Sequence, residues 1–379
     1  MRTHNLAVIG GDGIGPDVTA AALAAMRAAA DRFGFTLSTT DFDLGAASYH
    51  RTGVALDDSA VEQLRGHDAI LLGAIGDPSV APGILERGVV LALRVALAQS
   101  VNVRPVRLYP GVQSPVRGIT PQRCDMVILR ENTEGLYAGG GALVHEGTAN
   151  ALALQQSVTT ASATRSIVEV AFRLAAARRG RLALCHKSNV LTYAGRLWDE
   201  VVEEVGAEYP DVTRDYVHVD AMCQHLPLSP ERFDVVVTDN LFGDIISDLG
   251  ATVQGGLGLA ASANLNPTGS APSMFEPVHG SAPDIAGKGW ANPAAAVLSG
   301  ALCLAALGER DAALACEAAA ASVVAELPAL SGAAMGASTA EIGERIAARV
   351  ATADPATIGD PATSLMSAMA AIAPVPDRG

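Results

Sequence analysis

Short apolar runs of strand character alternate along this chain with longer stretches of helical periodicity, and that alternation restricts the fold more than any single motif does. The runs lie at 6–9, 69–73, 126–129, 182–185 and 234–238, and the helical stretches at 17–33, 59–65, 88–99, 162–178, 195–205 and 311–326. Strands must cover their apolar side chains and the intervening helices supply the cover, so an α/β fold is expected. With 379 residues, 49% hydrophobic and 17% charged, the chain holds enough apolar surface for a large core divided between two domains. Pro105, Pro110 and Pro115 punctuate the region where the crossing into a second domain is expected. Residues 352–379, with four prolines among small residues, read as a loosely attached tail that could form a short helix over 365–372.

Charge and composition remove several classes of function. A formal net charge of −14 argues against a nucleic-acid partner, which demands a basic footprint. No apolar run approaches the roughly 20 residues that span a bilayer, and no cleavable signal pattern precedes the strand at 6–9, so a cytoplasmic protein without a membrane partner is expected. The five cysteines, Cys124, Cys185, Cys223, Cys303 and Cys316, have no metal-ligand spacing and read as reduced, mostly buried thiols.

Three local patterns carry chemistry. Gly11-Asp12-Gly13-Ile14-Gly15-Pro16 follows a strand and opens a helix, which invites a Rossmann reading, but Pro16 stands where that fingerprint needs glycine or alanine. Asp12 would moreover set a carboxylate beside a pyrophosphate, so a Rossmann fold is not expected and Pro16 reads as a first-turn helix residue. The run 275–289, Phe-Glu-Pro-Val-His-Gly-Ser-Ala-Pro-Asp-Ile-Ala-Gly-Lys-Gly, combines small residues that admit close backbone approach with Asp284, which can accept both hydroxyls of an adenosine ribose. A rigid surface loop is the other reading of the same residues. Asp244 and Asp248 stand four apart in a helical segment, so their like charges share one face and invite a divalent cation such as Mg²⁺ or Mn²⁺. A solvated acidic face is the alternative there.

Taken in order, 11–17, Asn102-Val103-Arg104-Pro105, Arg130-Glu131-Asn132-Thr133-Glu134-Gly135, His186-Lys187-Ser188-Asn189-Val190-Leu191, the run 239–248 and the run 275–289 form a set. Across roughly residues 5 to 310 the chain resembles the metal-dependent, decarboxylating 2-hydroxyacid dehydrogenases, the family of isopropylmalate, isocitrate, homoisocitrate and tartrate dehydrogenases. The resemblance implies that family's two-domain α/β fold with a large mixed sheet. Residues 1–101 and 256–351 would form a discontinuous cofactor-binding domain, and 102–255 a substrate, metal and dimerisation domain. It implies NAD as cofactor, held by Glu276, His279, Gly280, Ser281, Ala282, Pro283, Asp284, Ile285 and Asn292. Asp284 would repel the 2′-phosphate of NADP. Arg94, Arg104 and Arg130 match the arginines that hold the malate carboxylates, and Tyr137 and Lys187 the acid/base pair. Asp244 and Asp248, with Asp220 from a neighbouring subunit, would hold the metal and meet the substrate, which makes a homodimer with shared sites the expected partner arrangement.

Within the family the chain is most similar to the isopropylmalate branch, which implies oxidative decarboxylation of a malate carrying an isopropyl group on C3. The helix ahead of Arg94 reads that group, and Glu86, Val89 and Val90 fall at i, i+3 and i+4, on one face. An apolar pair beside a carboxylate accepts an alkyl group and rejects a further carboxylate, although Arg87 stands close by. Glu131-Asn132-Thr133-Glu134-Gly135 resembles the isocitrate and tartrate branches instead, so another 3-alkylmalate, tartrate and isocitrate remain open.

Overall fold

A computed structural model describes residues 2–361 and 364–373. Ten strands form one mixed sheet in the order β2 (Phe35–Asp41), β1 (Arg2–Gly11), β3 (Ala69–Ala74), β12 (Ser273–Pro277), β11 (Ala261–Leu265), β4 (Val101–Arg107), β5 (Asp125–Glu131), β10 (Val235–Thr238), β8 (Arg181–His186) and β9 (Thr213–His218). The pairings from β2 to β12 are parallel, as are those from β5 to β9. Between these halves β11 runs antiparallel to both β12 and β4, and β4 antiparallel to β5. The fold is therefore the expected α/β type with a large mixed sheet, and its strand order is not that of a Rossmann domain.

The helices are α1 (Gly15–Phe33), α2 (Ala46–Thr52), α3 (Asp58–Arg65), α4 (Ala92–Ala96), α5 (Ala161–Ala177), α6 (Thr192–Gly206), α7 (Val219–Leu228), α8 (Asn240–Val253), α9 (Ala294–Ala306), α10 (Arg310–Val324), α11 (Thr339–Val350) and α12 (Leu365–Ala368). Among the described residues no helix is long and apolar enough to cross a membrane. The five strands read from the sequence are apolar because both of their faces are covered; β3 and β10, for example, are buried at every position. Edge strand β9, Thr-Arg-Asp-Tyr-Val-His, keeps its first four residues exposed and so offered no apolar run. Helix α9 lacked helical periodicity for the opposite reason: all of its residues are buried, so it has no polar face.

The glycine-rich turn after β1 is a joint between loops. Asp12 is buried, and its carboxylate accepts Ala46 N at 2.8 Å and Gly76 N at 2.9 Å, tying the turn to α2 and to the segment after β3. Ile14 N donates to the Ser281 carbonyl at 2.8 Å, and a Cβ on Gly13, whose φ is +60°, would overlap that carbonyl. The turn at 11–16 thus holds the run 275–289 in place through backbone contact. Away from the sheet, β6 (Gly141–Val144) and β7 (Leu152–Gln155) form a two-stranded antiparallel hairpin with every residue exposed, Leu143, Leu152 and Leu154 included.

Within the segment expected to be a loose tail, residues 364–373 pack against the core; 362–363 and 374–379 of that segment lie outside the described residues. Leu365, Met366, Met369 and Ile372 are all buried and join the main apolar cluster, which compensates the entropy of ordering the segment. Met369→Ala should accordingly cost about 2–5 kcal/mol in urea unfolding, the range for a large side chain deleted from a core. A change near zero would mean that the segment is not seated.

Candidate active site

Helix α8 carries the centre of the site. Asp239 caps it by accepting Phe242 N at 2.7 Å, and Asp244 and Asp248 follow on successive turns. Arg130, at the end of β5, is almost wholly buried against α8; Gly243 permits this, since a Cβ there would lie 2.6 Å from Arg130 Cγ. Arg130 Nη1 donates to Asp244 Oδ1, while its Nε and Nη2 donate to Asn240 Oδ1 at 3.0 and 2.8 Å. The Tyr137 hydroxyl donates to Asp244 Oδ2 at 2.7 Å, and the Arg130 guanidinium lies 5.0 Å from the centre of the tyrosine ring. Arg104 on β4 is also buried, with Nη1 donating to Ser247 Oγ at 2.7 Å and lying 3.4 Å from Asp244 Oδ1 and 3.7 Å from Asp248 Oδ1.

A line of buried side chains joins these groups to the other half of the sheet. Arg104 Nε donates to Asn102 Oδ1 at 2.7 Å, Asn102 Nδ2 to Asn264 Oδ1 at 2.7 Å, and Asn264 Nδ2 to Glu276 Oε1 at 2.8 Å. Arg94 on α4 completes the line with Nη2 donating to the same Glu276 oxygen at 3.0 Å, and its buried Nε has no partner among the described residues. Glu276, on β12, thus joins this line to Arg94.

The environment separates the two aspartates. Burial raises the carboxyl of Asp244, but Arg130, the Tyr137 hydroxyl, Arg104 and Arg94 outweigh it and hold that group below the usual carboxylate range. Burial raises Asp248, and Arg104 only partly offsets it. Burial also raises the Tyr137 hydroxyl, helped by its bond to Asp244. Arg104 is pushed down to about 10 by burial and by the neighbouring Arg130.

Lys187 and Asp220 form a separate pair. Lys187 Nζ donates to Asp220 Oδ1 at 2.7 Å, and this bond lowers the exposed Asp220 carboxyl. Among the described residues no three His, Cys, Asp or Glu side chains gather tightly enough to hold a metal, so within one chain Asp220 does not join Asp244 and Asp248. His186, just before Lys187, is buried with Nε2 3.6 Å from Asp239 Oδ2. Burial drives the two in opposite directions, His186 down to about 4 and Asp239 up to about 6.

In the run 275–289, Asp284 is exposed, and among the described residues its carboxylate meets no hydrogen-bond or ion-pair partner. Ala282 holds a φ of +42°, and His279 Nδ1 meets the Gly280 carbonyl at 3.0 Å while its buried Nε2 has no partner among the described residues. Gly280 and Pro283 are exposed, Ser281 is buried and Ile285 is half-buried against the core. Asn292 Oδ1 accepts Ala294 N at 3.0 Å and its Nδ2 donates to the Leu330 carbonyl at 3.2 Å, so its amide also shapes the start of α9.

The segment ahead of Arg94 departs from the expected geometry. Residues Glu86–Leu91 form a π-helix, in which the i, i+3, i+4 face of an α-helix is lost. Val89 is fully buried in the apolar cluster beneath, with Ile9, Leu72 and Leu93, and cannot meet a substrate. Glu86 is exposed and Val90 half-buried, as is Leu91, which sequence reasoning passed over although it stands one turn before Arg94. Asn102 and Asn240 appeared in the quoted motifs without a role, and Asn264 was missed; nothing in the sequence pattern marks an isolated buried amide.

Residues 5–346 match a family model described as isocitrate/isopropylmalate dehydrogenase. A protein named 3-isopropylmalate dehydrogenase from Thermobifida fusca is 56% identical over 351 residues, covering 92% of this chain and 98% of that protein. One of the same name from Frankia casuarinae is 54% identical over 347 residues, covering 91% and 99%. The crystal structure of isocitrate dehydrogenase from Methylococcus capsulatus superposes with a TM-score of 0.81 at 37% identity, covering 92% of this chain and 100% of that one.

The Asp239 carboxylate gives a signed pH effect. Its folded value of about 6 exceeds the ordinary 3.8, so ionisation costs stability as pH rises between those values and the cost is complete above them. Asp239→Asn keeps a good helix cap without the buried charge, and should be the more stable form by up to about 3 kcal/mol near pH 8, with the gap closing as pH falls towards 4. Urea unfolding of both proteins across that range measures it; a gap independent of pH refutes the assignment.

Proposed function

The chain belongs to the isocitrate/isopropylmalate dehydrogenase family, and from that premise we propose that it converts (2R,3S)-3-isopropylmalate to 4-methyl-2-oxopentanoate and CO₂ with NAD, as a step of leucine biosynthesis. The observation that carries this reading is the convergence of buried Arg104 and Arg130 on Asp244, with Arg94 tied in through Glu276. Guanidinium groups held in a dry site suit a substrate with two carboxylates. The relatives' name supplies the C3 group, and the apolar, half-buried Val90 and Leu91 ahead of Arg94 favour an alkyl substituent over a third carboxylate.

The donor set at α8 fits a divalent cation: two hard carboxylates one turn apart, one held ionised by arginine and the other partly exposed. When bound, Mg²⁺ or Mn²⁺ supplies a Lewis acid for the C2 oxygen and for charge that develops on loss of CO₂, and NAD supplies the hydride acceptor. Arg94, Arg104 and Arg130 orient the malate, Lys187 takes the proton of the C2 hydroxyl, and Tyr137 returns a proton to carbon after CO₂ departs. Asp284 receives the ribose hydroxyls, and its charge disfavours the 2′-phosphate of NADP. We assign residues 1–101 and 256–351 to the cofactor half and 102–255 to the substrate half, a division that follows the antiparallel seam of β11 and β4.

The active unit is a homodimer in which Lys187 and Asp220 serve the partner's site. Asp220, the partner of Lys187, does not gather with Asp244 and Asp248 among the described residues of one chain, which supports this. So does the exposed β6–β7 hairpin, because an isolated two-stranded hairpin is marginal in water and gains from a second copy. The free cysteines, four of the five buried, suit a cytoplasmic setting.

Purified enzyme assayed on methyl-, isopropyl-, isobutyl- and benzylmalate, isocitrate and tartrate should show its highest kcat/KM with isopropylmalate, prefer NAD to NADP by at least about tenfold, and stop in excess chelator. A preference for isocitrate or tartrate refutes the substrate; undiminished turnover in chelator refutes the metal. Lys187→Ala and Asp248→Ala should each be inactive, whereas chains mixed in equal amounts and reassembled should recover roughly a quarter of wild-type activity, since half the dimers are mixed and each has one intact site. No recovery despite demonstrated subunit exchange removes the shared site.

A further inference from the structure

Asn240 opens α8, is fully buried, and uses both ends of its amide. Its Oδ1 takes the Nε and Nη2 of Arg130, and its Nδ2 donates to the Glu134 carbonyl at 3.2 Å and towards Glu131 Oε2 at 3.4 Å. Glu131 is itself fixed, accepting Thr133 N at 2.8 Å, Thr133 Oγ1 at 2.7 Å and Glu134 N at 2.8 Å. A closed turn therefore holds Asn240 on one side, and Asn240 holds one edge of a guanidinium on the other.

The occupied edge decides what Arg130 can do to Asp244. A guanidinium can grip a carboxylate with two parallel N–H groups, spending both oxygens in the process. With Nε and Nη2 committed to Asn240, Arg130 reaches Asp244 through Nη1 at Oδ1, and Oδ2 is left to the Tyr137 hydroxyl. We propose that Asn240 is a positioning residue for the metal site: by keeping Arg130 from closing bidentately on Asp244, it preserves that carboxylate as a ligand for a divalent cation. The assignment rests on the metal reading given under Proposed function. It accounts for an amide, buried and bonded on both sides, at a position where helix formation requires none.

The test is Mn²⁺ affinity of the intact protein, read from the EPR signal of free Mn²⁺ without substrate or NAD. Asn240→Ser still starts a helix but is too short to reach Arg130, and should weaken Mn²⁺ binding about 10- to 100-fold, the usual effect of losing a group that orients a metal ligand. Asn240→Asp retains the acceptor oxygen and should lose less. In an Arg130→Met background nothing remains to be positioned, so Asn240→Ser should change affinity by less than about twofold. Equal losses in both backgrounds, or an Asp variant as weak as the Ser variant, overturn the positioning role; far-UV circular dichroism confirms that each variant is folded. A wild-type protein that binds no Mn²⁺ overturns the metal reading itself, and this role with it.

Discussion

The Arg130 charge, buried at the end of β5, is the constraint around which the site is arranged. A guanidinium out of water needs an opposing charge and acceptors for its remaining protons, or the fold bears several kcal/mol of desolvation. Asp244 supplies the charge and Asn240 the acceptor, and both are on α8, so the helix cannot slide along the strand without stripping the arginine. Gly243, between them, lets the helix approach closely enough. Tyr137 then has a fixed carboxylate to meet and a cation against its ring. Position, charge state and packing of the site follow from one ion pair.

How much of this was legible depended on whether a residue advertises its environment. The α/β class could be read because β3, β5 and β10 are apolar on both faces, and α8 because it follows one of those apolar runs. The central strand β11, Ala-Ser-Ala-Asn-Leu, could not, since its small and polar residues are buried for their bonds to β4 and β12 and not for their apolar surface. The assignments of Arg94, Arg104, Arg130 and Tyr137 came from motif resemblance, and these residues do converge around Asp244 and Glu276. Val89 departs from the expected face because the segment is a π-helix and not an α-helix, and it is fully buried.

The buried asparagines deserve weight in physical terms. Asn102 on β4 and Asn132 just after β5 both donate to Asn264 Oδ1 on β11, at the seam where two parallel halves of the sheet meet in opposite sense. An apolar residue would tolerate a slip of register there; a chain of amides, each needing a partner, does not. The polar line from Arg104 to Glu276 therefore fixes the register in which the two parallel halves of the sheet meet.

The π-helix at Glu86–Leu91 bears on how such a site can diverge. A π turn is an α-helix that has accommodated one extra residue, so its presence is a matter of segment length as much as of composition. Loss of a single codon in this stretch would restore α geometry and turn everything before it by about 100° about the helix axis relative to Arg94. Side chains now in the core would swing out of it, and others would enter it, with no residue exchanged. Insertion and deletion are thus a route to a new surface ahead of Arg94, one that comparison of aligned amino acids alone would overlook.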